Sequence, residues 1–148
     1  MTLFICHATG GRCEDWDPWN GANRVFLHRV RDENLYDGPP TVRVYRRRVL
    51  SVDEPIDELA LMIQVREKGM PMNEALKSLR HDKLSGGAVW LFGDDSPKSR
   101  KGDGPMRLVL QFTTEVVAFD ITKGGMGYVF IDPFDNSESA GRMLWQGG

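Results

Sequence analysis

The sequence is poor in the features on which secreted, membrane-embedded and nucleic-acid-binding proteins depend. Its 148 residues include only two cysteines, Cys6 and Cys13, so at most one disulfide can form. The 19 basic residues are balanced by 21 acidic ones, and a formal charge of −2 gives no overall field to attract nucleic acid. No apolar run approaches the roughly 20 residues of a membrane-spanning helix, and the first residues lack the basic and apolar regions of a signal peptide. We therefore expect a cytoplasmic protein whose partner is neither a membrane nor a nucleic acid.

The motifs of common catalytic and cofactor sites are absent as well. The chain has no Gly-x-Ser-x-Gly elbow and no His-Glu-x-x-His sequence. Gly86 and Gly87 lack the lysine of a phosphate-binding loop, and the glycines of residues 124–127 lie between predicted strands, where no helix follows. We therefore predict no catalytic residue, no cofactor and no metal ligand.

Short strand-like runs occupy most of the chain. Turn residues separate apolar segments that are typical of an antiparallel sheet, and these lie at residues 3–7, 24–30, 42–47, 88–92, 107–112, 116–119, 128–131 and 142–145. Their inward-facing side chains are expected to be buried, namely Leu108, Leu110, Val129, Ile131 and Leu144. The paired glycines of these runs are expected to occupy positions with positive φ or close backbone packing.

The middle of the chain has a different pattern. Apolar residues after Asp53 recur at helical spacing until Gly69, and a second short helix is predicted from Asn73 to about Arg80. The run Leu61–Val65 is also compatible with a buried strand. We predict a single α+β domain spanning residues 1–148, in which a largely antiparallel sheet carries two helices in the middle of the chain.

Several short motifs in residues 84–147 resemble one known family. In order, they are Gly86-Gly87, Trp90-Leu91, Pro97, Gly104-Pro105-Met106-Arg107, Leu110-Gln111, Gly124-Gly125-Met126-Gly127-Tyr128-Val129-Phe130 and Leu144-Trp145-Gln146. Their order and spacing are similar to those of the YwqG-like family of bacterial domains of unknown function. The resemblance implies a strand-rich α+β fold and no established reaction or cofactor.

Two loops combine side chains that are suited to contacting a partner. The first carries the tryptophans and carboxylates Trp16, Trp19, Asp15 and Asp17, and the polar loop from Gly93 to Gly104 carries Asp94 and Asp95. Tryptophan is enriched among binding hot spots, although in a loop it can also cap the core. We predict that these loops form the functional face of a non-enzymatic module that binds another protein.

An enzyme is the alternative hypothesis. A hydrolase-like or metal-assisted site would use Cys6, His7 and Asp15, or the Asp94–Asp95 pair. Because Cys6 and His7 are neighbours on a predicted strand, their side chains point to opposite faces, which makes joint coordination of a metal awkward. A concave cluster of these groups would favour the enzyme, and a tryptophan-lined surface would favour the binding module.

Overall fold

The computed structural model describes residues 1–5, 16–27, 63, 65–71, 74, 80–113 and 124–147. Several predicted features lie outside these ranges: the strands at 42–47 and 116–119, most of the second helix, and the residues Cys6, His7, Cys13 and Asp15.

The described part of the chain forms one antiparallel sheet of six strands. They are β1 (Thr2–Phe4), β2 (Arg24–Phe26), β3 (Lys83–Leu84), β4 (Arg107–Thr113), β5 (Met126–Ile131) and β6 (Gly141–Gln146). Their order across the sheet is β1-β2-β6-β5-β4-β3, and every neighbouring pair is antiparallel. The three longest strands, β4, β5 and β6, therefore lie side by side near the middle of the sheet.

The central strands bury side chains on both faces of the sheet. Successive residues of a strand point to opposite faces, so β5 directs Tyr128 to one face and Val129 to the other. The face that we call the Tyr128 face carries Met106, Leu108, Met126, Tyr128, Phe130 and Leu144. The opposite face, the Val129 face, carries Val25, Phe112, Val129 and Met143. The expected burial is confirmed for Leu108, Val129 and Leu144, while Leu110 and Ile131 are half-buried.

A β-bulge in β4 determines which of its side chains reach the Tyr128 face. Leu108 pairs with Phe130, but Leu110 pairs with Val129, so the register shifts by one residue between them. Without the extra residue, strict alternation would place Leu108 and Gln111 on opposite faces. The bulge places both on the Tyr128 face, with Gln111 opposite Tyr128.

The prediction of an α+β fold with two helices is wrong. Helical geometry in the described residues is confined to Ile63, 65–68 and Glu74, and no described helix reaches seven residues. Helical spacing of apolar residues stabilises a helix only when the apolar face is buried. Ile63 is 44% exposed, so this side chain of the predicted apolar face is not buried against a core. The described fold is an antiparallel sheet.

The prediction of a strand at Ala88–Phe92 is also wrong, and its hydrogen bonds explain why. The Val89 N–H donates to Gln111 Oε1 (2.8 Å), and the Leu91 and Phe92 N–H groups donate to Gln146 Oε1 (3.0 and 3.2 Å). These backbone groups are therefore satisfied by side chains that rise from the sheet face, in place of a neighbouring strand.

The segment 88–93 crosses the Tyr128 face from β4 towards β6. The Tyr128 hydroxyl donates to the Val89 carbonyl (2.8 Å), and Gln146 Nε2 donates to the Gly93 carbonyl (2.9 Å). Gln111, Tyr128 and Gln146, which we call the glutamine clamp, thus hold the segment at successive points. Burial raises the pKa of the Tyr128 phenol to about 12, so this hydroxyl remains protonated and able to donate at neutral pH.

The clamped segment places an indole ring over the core. The ring of Trp90 lies 4.5 Å from that of Tyr128, tilted by 36°, and 6.0 Å from that of Phe130, nearly parallel to it at 12°. Trp90 and Leu91 pack against the apolar cluster of the Tyr128 face. An apolar segment that is not a strand therefore covers this part of the sheet.

Close packing at the paired glycines predicts the effect of Gly127→Ala. Gly124 has φ +73°, and a Cβ at Gly127 would overlap the ring of Phe112, so the expectation for these glycines is confirmed. We expect Gly127→Ala to lower the free energy of unfolding by about 1–3 kcal/mol, as overpacking of a core does. Urea denaturation measures this loss. Gly87→Ala is the control, because a Cβ at Gly87 has no neighbour within 4 Å. An unchanged stability for Gly127→Ala would contradict the close packing.

The clamp predicts a second stability effect, at Gln146. In Gln146→Leu the Leu91 N–H, Phe92 N–H and Gly93 carbonyl lose the partner of three partly buried hydrogen bonds. Because each such bond contributes about 0.5–1.5 kcal/mol to stability, we expect denaturant unfolding to show a loss of about 2 kcal/mol or more. Met143→Leu is the matched control on the same strand, since this buried, volume-conserving change should cost less than about 1.5 kcal/mol. Equal stabilities of the two variants would show that the clamp is dispensable.

Candidate functional site

Two turns in the loop before β2 position Trp19. The Asp17 carboxylate accepts a hydrogen bond from the Trp19 N–H, and the Asn20 side chain accepts one from the Ala22 N–H, both at 2.8 Å. Aspartate and asparagine favour such local turns because their side chains imitate a backbone carbonyl. Gly21 supplies a positive φ of +87° between them. The loop therefore folds back beside β2, and Trp19 packs against the edge of the apolar cluster on the Tyr128 face.

A second loop, which continues from the clamped segment, brings Arg100 to the same place. The Met106 N–H donates to the Pro97 carbonyl (2.8 Å), and the Ser99 N–H donates to the Gly104 carbonyl (3.0 Å). The Ser99 hydroxyl donates to the buried Asp132 carboxylate (2.7 Å), which ties the loop to the residues that follow β5. These bonds hold the loop so that Arg100 projects over Trp19.

Two arginines lie over the Trp19 indole, and a third lines the same cavity. The guanidinium carbon of Arg100 lies 3.9 Å from the ring centroid, and that of Arg142 lies 4.4 Å from it, both within the range of cation–π attraction. Arg24 lines the same cavity, which has a volume of about 160 Å³. We call this the Trp19 pocket, and its walls are formed mainly by Pro18, Trp19, Arg24, Phe26, Arg100 and Arg142.

The sheet register explains why two of the arginines are adjacent. Val25 of β2 pairs with Gly141 of β6, so the next residues, Arg24 and Arg142, occupy neighbouring positions on the Tyr128 face. The Arg142 guanidinium donates from Nη1 to the Ser139 and Gly141 carbonyls, both at 2.6 Å. It is therefore held in place before any ligand arrives.

Like charges make the Trp19 pocket electrostatically strained. Partial burial, followed by repulsion from Arg100 and Arg24, lowers the pKa of Arg142 from its ordinary value, while Asp135 and Asp132 act more weakly in the opposite sense. Asp135 is itself paired with Lys101 at 2.8 Å, and Asp132 accepts the Ser99 hydroxyl. Within the described ranges, no carboxylate forms an ion pair with any of the three guanidiniums. This arrangement is suited to binding an anion.

The structure separates the predicted site residues into different roles. Trp19 lies in the pocket, and Trp16 stands outside it with 52% of its surface exposed. Asp17 shapes the turn that carries Trp19. Hydrogen bonds from the Ser96 side chain and from the Ser96 N–H lower the pKa of the Asp94 carboxyl, and Asp95 accepts a bond from Gln146. The two loops predicted to form one face do meet, through the contact between Trp19 and Arg100. Among the carboxylates, Asp17 and Asp94 serve local turns and Asp95 serves the clamp.

The groups of the alternative enzyme hypothesis do not converge where they can be described. Asp94 and Asp95 have the separate partners given above, and Cys6, His7 and Asp15 lie outside the described residues. In the described part of the chain, no three His, Cys, Asp or Glu side chains are grouped closely enough to hold a metal ion. Nor does any helix found there have the length and apolar character needed to span a membrane.

Comparisons of the chain with protein-family models, with curated proteins and with solved structures find no match. The similarity to the YwqG-like family over residues 84–147 therefore stays a prediction, and the geometry of the Trp19 pocket carries the functional argument.

The position of Gly21 allows anion binding to be tested apart from stability. Gly21 and Gly124 both have positive φ, so an alanine at either should cost about 1–2 kcal/mol of stability. Only at Gly21 would the new Cβ meet a pocket residue, lying 2.9 Å from an Arg24 guanidinium nitrogen. We expect sulfate binding, measured by calorimetry, to weaken in Gly21→Ala and to be unchanged in Gly124→Ala. Equal sulfate affinities of the two variants would contradict a role of Arg24 in anion binding.

Proposed function

We propose that this protein is a non-enzymatic binding module that recognises an acidic group on a partner protein through the Trp19 pocket. The observation that carries the proposal is that Arg100 and Arg142 lie over one indole and Arg24 lines the same pocket, with no acidic ion-pair partner in the described part of the chain. A cytoplasmic location, expected from the composition, belongs to the same proposal.

The composition of the pocket matches that of protein-binding hot spots. Tryptophan and arginine are the side chains most enriched there, and a preorganised site loses less entropy on binding. Arg142 is held by two carbonyls, and the indole restricts Arg100, so both guanidiniums are oriented in advance. An incoming anion also relieves the repulsion among the arginines, which gives it a larger gain than a single exposed arginine would offer.

Specific features of the site support binding over catalysis. An enzyme needs a nucleophile, or an acid and a base, placed near the bound group. Among the described residues that line the Trp19 pocket, Ser139 supplies one hydroxyl, and none is a His, Cys, Asp or Glu. Arginines alone can hold and orient an anion, but they do not transfer protons at neutral pH because their pKa is too high.

Affinity capture from an extract of the native cell tests the proposed function. The immobilised proteins are the wild type, the double variant Arg24→Gln/Arg100→Gln, and Arg107→Gln, which removes an exposed positive charge on β4 outside the pocket. A partner captured by the wild type is then purified and its affinity is measured. We expect the double variant to bind it at least about tenfold more weakly, as the loss of a charge-assisted hydrogen bond predicts, and Arg107→Gln to bind normally.

Thermal melts of the three proteins accompany the binding data, so that a folding defect is recognised. A partner that binds the double variant and the wild type equally would contradict recognition through the Trp19 pocket. A product formed from a partner or small molecule in a reaction that depends on the protein would favour the enzyme hypothesis instead.

A further inference from the structure

We infer that the acidic group bound in the Trp19 pocket is a phosphate monoester, carried by a phosphorylated side chain of the partner. The inference rests on the proposed function and specifies its ligand. It follows from the number of guanidiniums, their free donors and the size of the cavity.

The number of positive charges favours a dianion. A carboxylate carries one negative charge and is satisfied by a single arginine that binds it through two parallel hydrogen bonds. A phosphate monoester carries about −1.5 to −2 charges at pH 7 and presents three acceptor oxygens. Arg24 and Arg142 lie side by side on β2 and β6, and Arg100 comes from the 94–105 loop, so three guanidiniums line one cavity. Three guanidiniums match three oxygens better than they match a carboxylate.

The hydrogen-bond donors of two of these arginines remain available. In the described part of the chain, nothing accepts a hydrogen bond from the Arg24 or Arg100 guanidinium, whereas Arg142 uses Nη1 for the Ser139 and Gly141 carbonyls. Each guanidinium has five N–H donors in a fixed fork. Arg24 and Arg100 can therefore bind oxygens directly, and Arg142 lines the same cavity.

The cavity has the dimensions of a phosphoryl group. Its volume is about 160 Å³, and a water-sized group takes up about 30 Å³. A phosphoryl group, with one phosphorus and four oxygens, fits that space. The cavity therefore admits a compact, highly charged group such as a phosphoryl group.

Calorimetry with small probes at pH 7.5 tests this inference. The probes are O-phosphoserine, inorganic phosphate, dimethyl phosphate, which is a monoanionic diester, and N-acetylaspartate, which carries carboxylates only. We expect O-phosphoserine and phosphate to bind at least about tenfold more tightly than the other two, since each lost charge-assisted hydrogen bond has an effect of that size. Arg24→Gln and Arg100→Gln should each weaken O-phosphoserine binding about tenfold or more, while Arg107→Gln should leave it unchanged.

Two outcomes would overturn the inference. If N-acetylaspartate bound as tightly as O-phosphoserine, the pocket would have no preference for a phosphate over carboxylates. Dimethyl phosphate binding as tightly would indicate a diester, such as a nucleic-acid backbone. Arg100→Lys keeps the charge but lacks the planar fork. If Arg100→Lys bound O-phosphoserine as tightly as the wild type, positive charge alone would suffice. Recognition of individual phosphate oxygens by the guanidinium fork would then be wrong.

Phosphatase treatment of the captured partner separates this inference from the proposed function. Loss of binding after dephosphorylation supports both the phosphate inference and the proposed protein-binding function. Partner binding that depends on the arginines but survives dephosphorylation would overturn the phosphate inference and leave the protein-binding function standing. Arginine-dependent binding of O-phosphoserine without any captured protein would contradict the protein-binding function while supporting recognition of the phosphate monoester.

Discussion

The fold of the described residues depends on two buried glutamines that replace a strand. Gln111 and Gln146 stand on the Tyr128 face and carry the hydrogen bonds of a segment that crosses above them. Gln111 is fully buried and Gln146 is only 6% exposed, so water has little access to the two amides that hold the segment. Each amide also uses both its oxygen and its nitrogen, since Gln111 Nε2 donates to the His81 carbonyl as well. This satisfied network fixes the position of the segment more sharply than apolar contacts alone would.

The clamp and the Trp19 pocket are two parts of one arrangement on β6. Gln146 and Arg142 lie on the same strand, four residues apart, and therefore point to the same face. Gln146 holds Gly93 and Asp95, where the 94–105 loop begins, and Arg142 lies under the Trp19 indole, against which the same loop places Arg100. The loop that carries Arg100 is thus held to β6 at its beginning, by the bonds of Gln146. The pocket is assembled from segments that are distant in sequence but rest on one strand.

The sequence predicts the central strands and much of their burial, because alternation and glycine spacing are local signals. Leu108, Val129 and Leu144 are buried as alternation indicates. The error at Ala88–Phe92 has a physical origin, since an apolar run bonded to glutamine side chains has the same composition as one bonded to a strand. The arginines of the pocket were missed because they are far apart in the sequence. Only the pairing of Val25 with Gly141 brings Arg24 beside Arg142, and no local pattern encodes that pairing.

Stability alone does not explain the arrangement of charge in the Trp19 pocket, and this arrangement therefore favours a role in binding. Packing two further guanidiniums near the half-buried Arg142 costs free energy, because after burial the repulsion from Arg100 and Arg24 is the next cause that lowers the pKa of Arg142. Acidic groups stand close by, but Asp135 pairs with Lys101, and Asp132 accepts the Ser99 hydroxyl and the Phe134 N–H. A fold selected for stability alone would gain by placing one carboxylate among the arginines. Because natural proteins tend to retain such local conflicts where a ligand resolves them, the arginines at Trp19, which no carboxylate of the described residues neutralises, support the proposal of an anionic ligand.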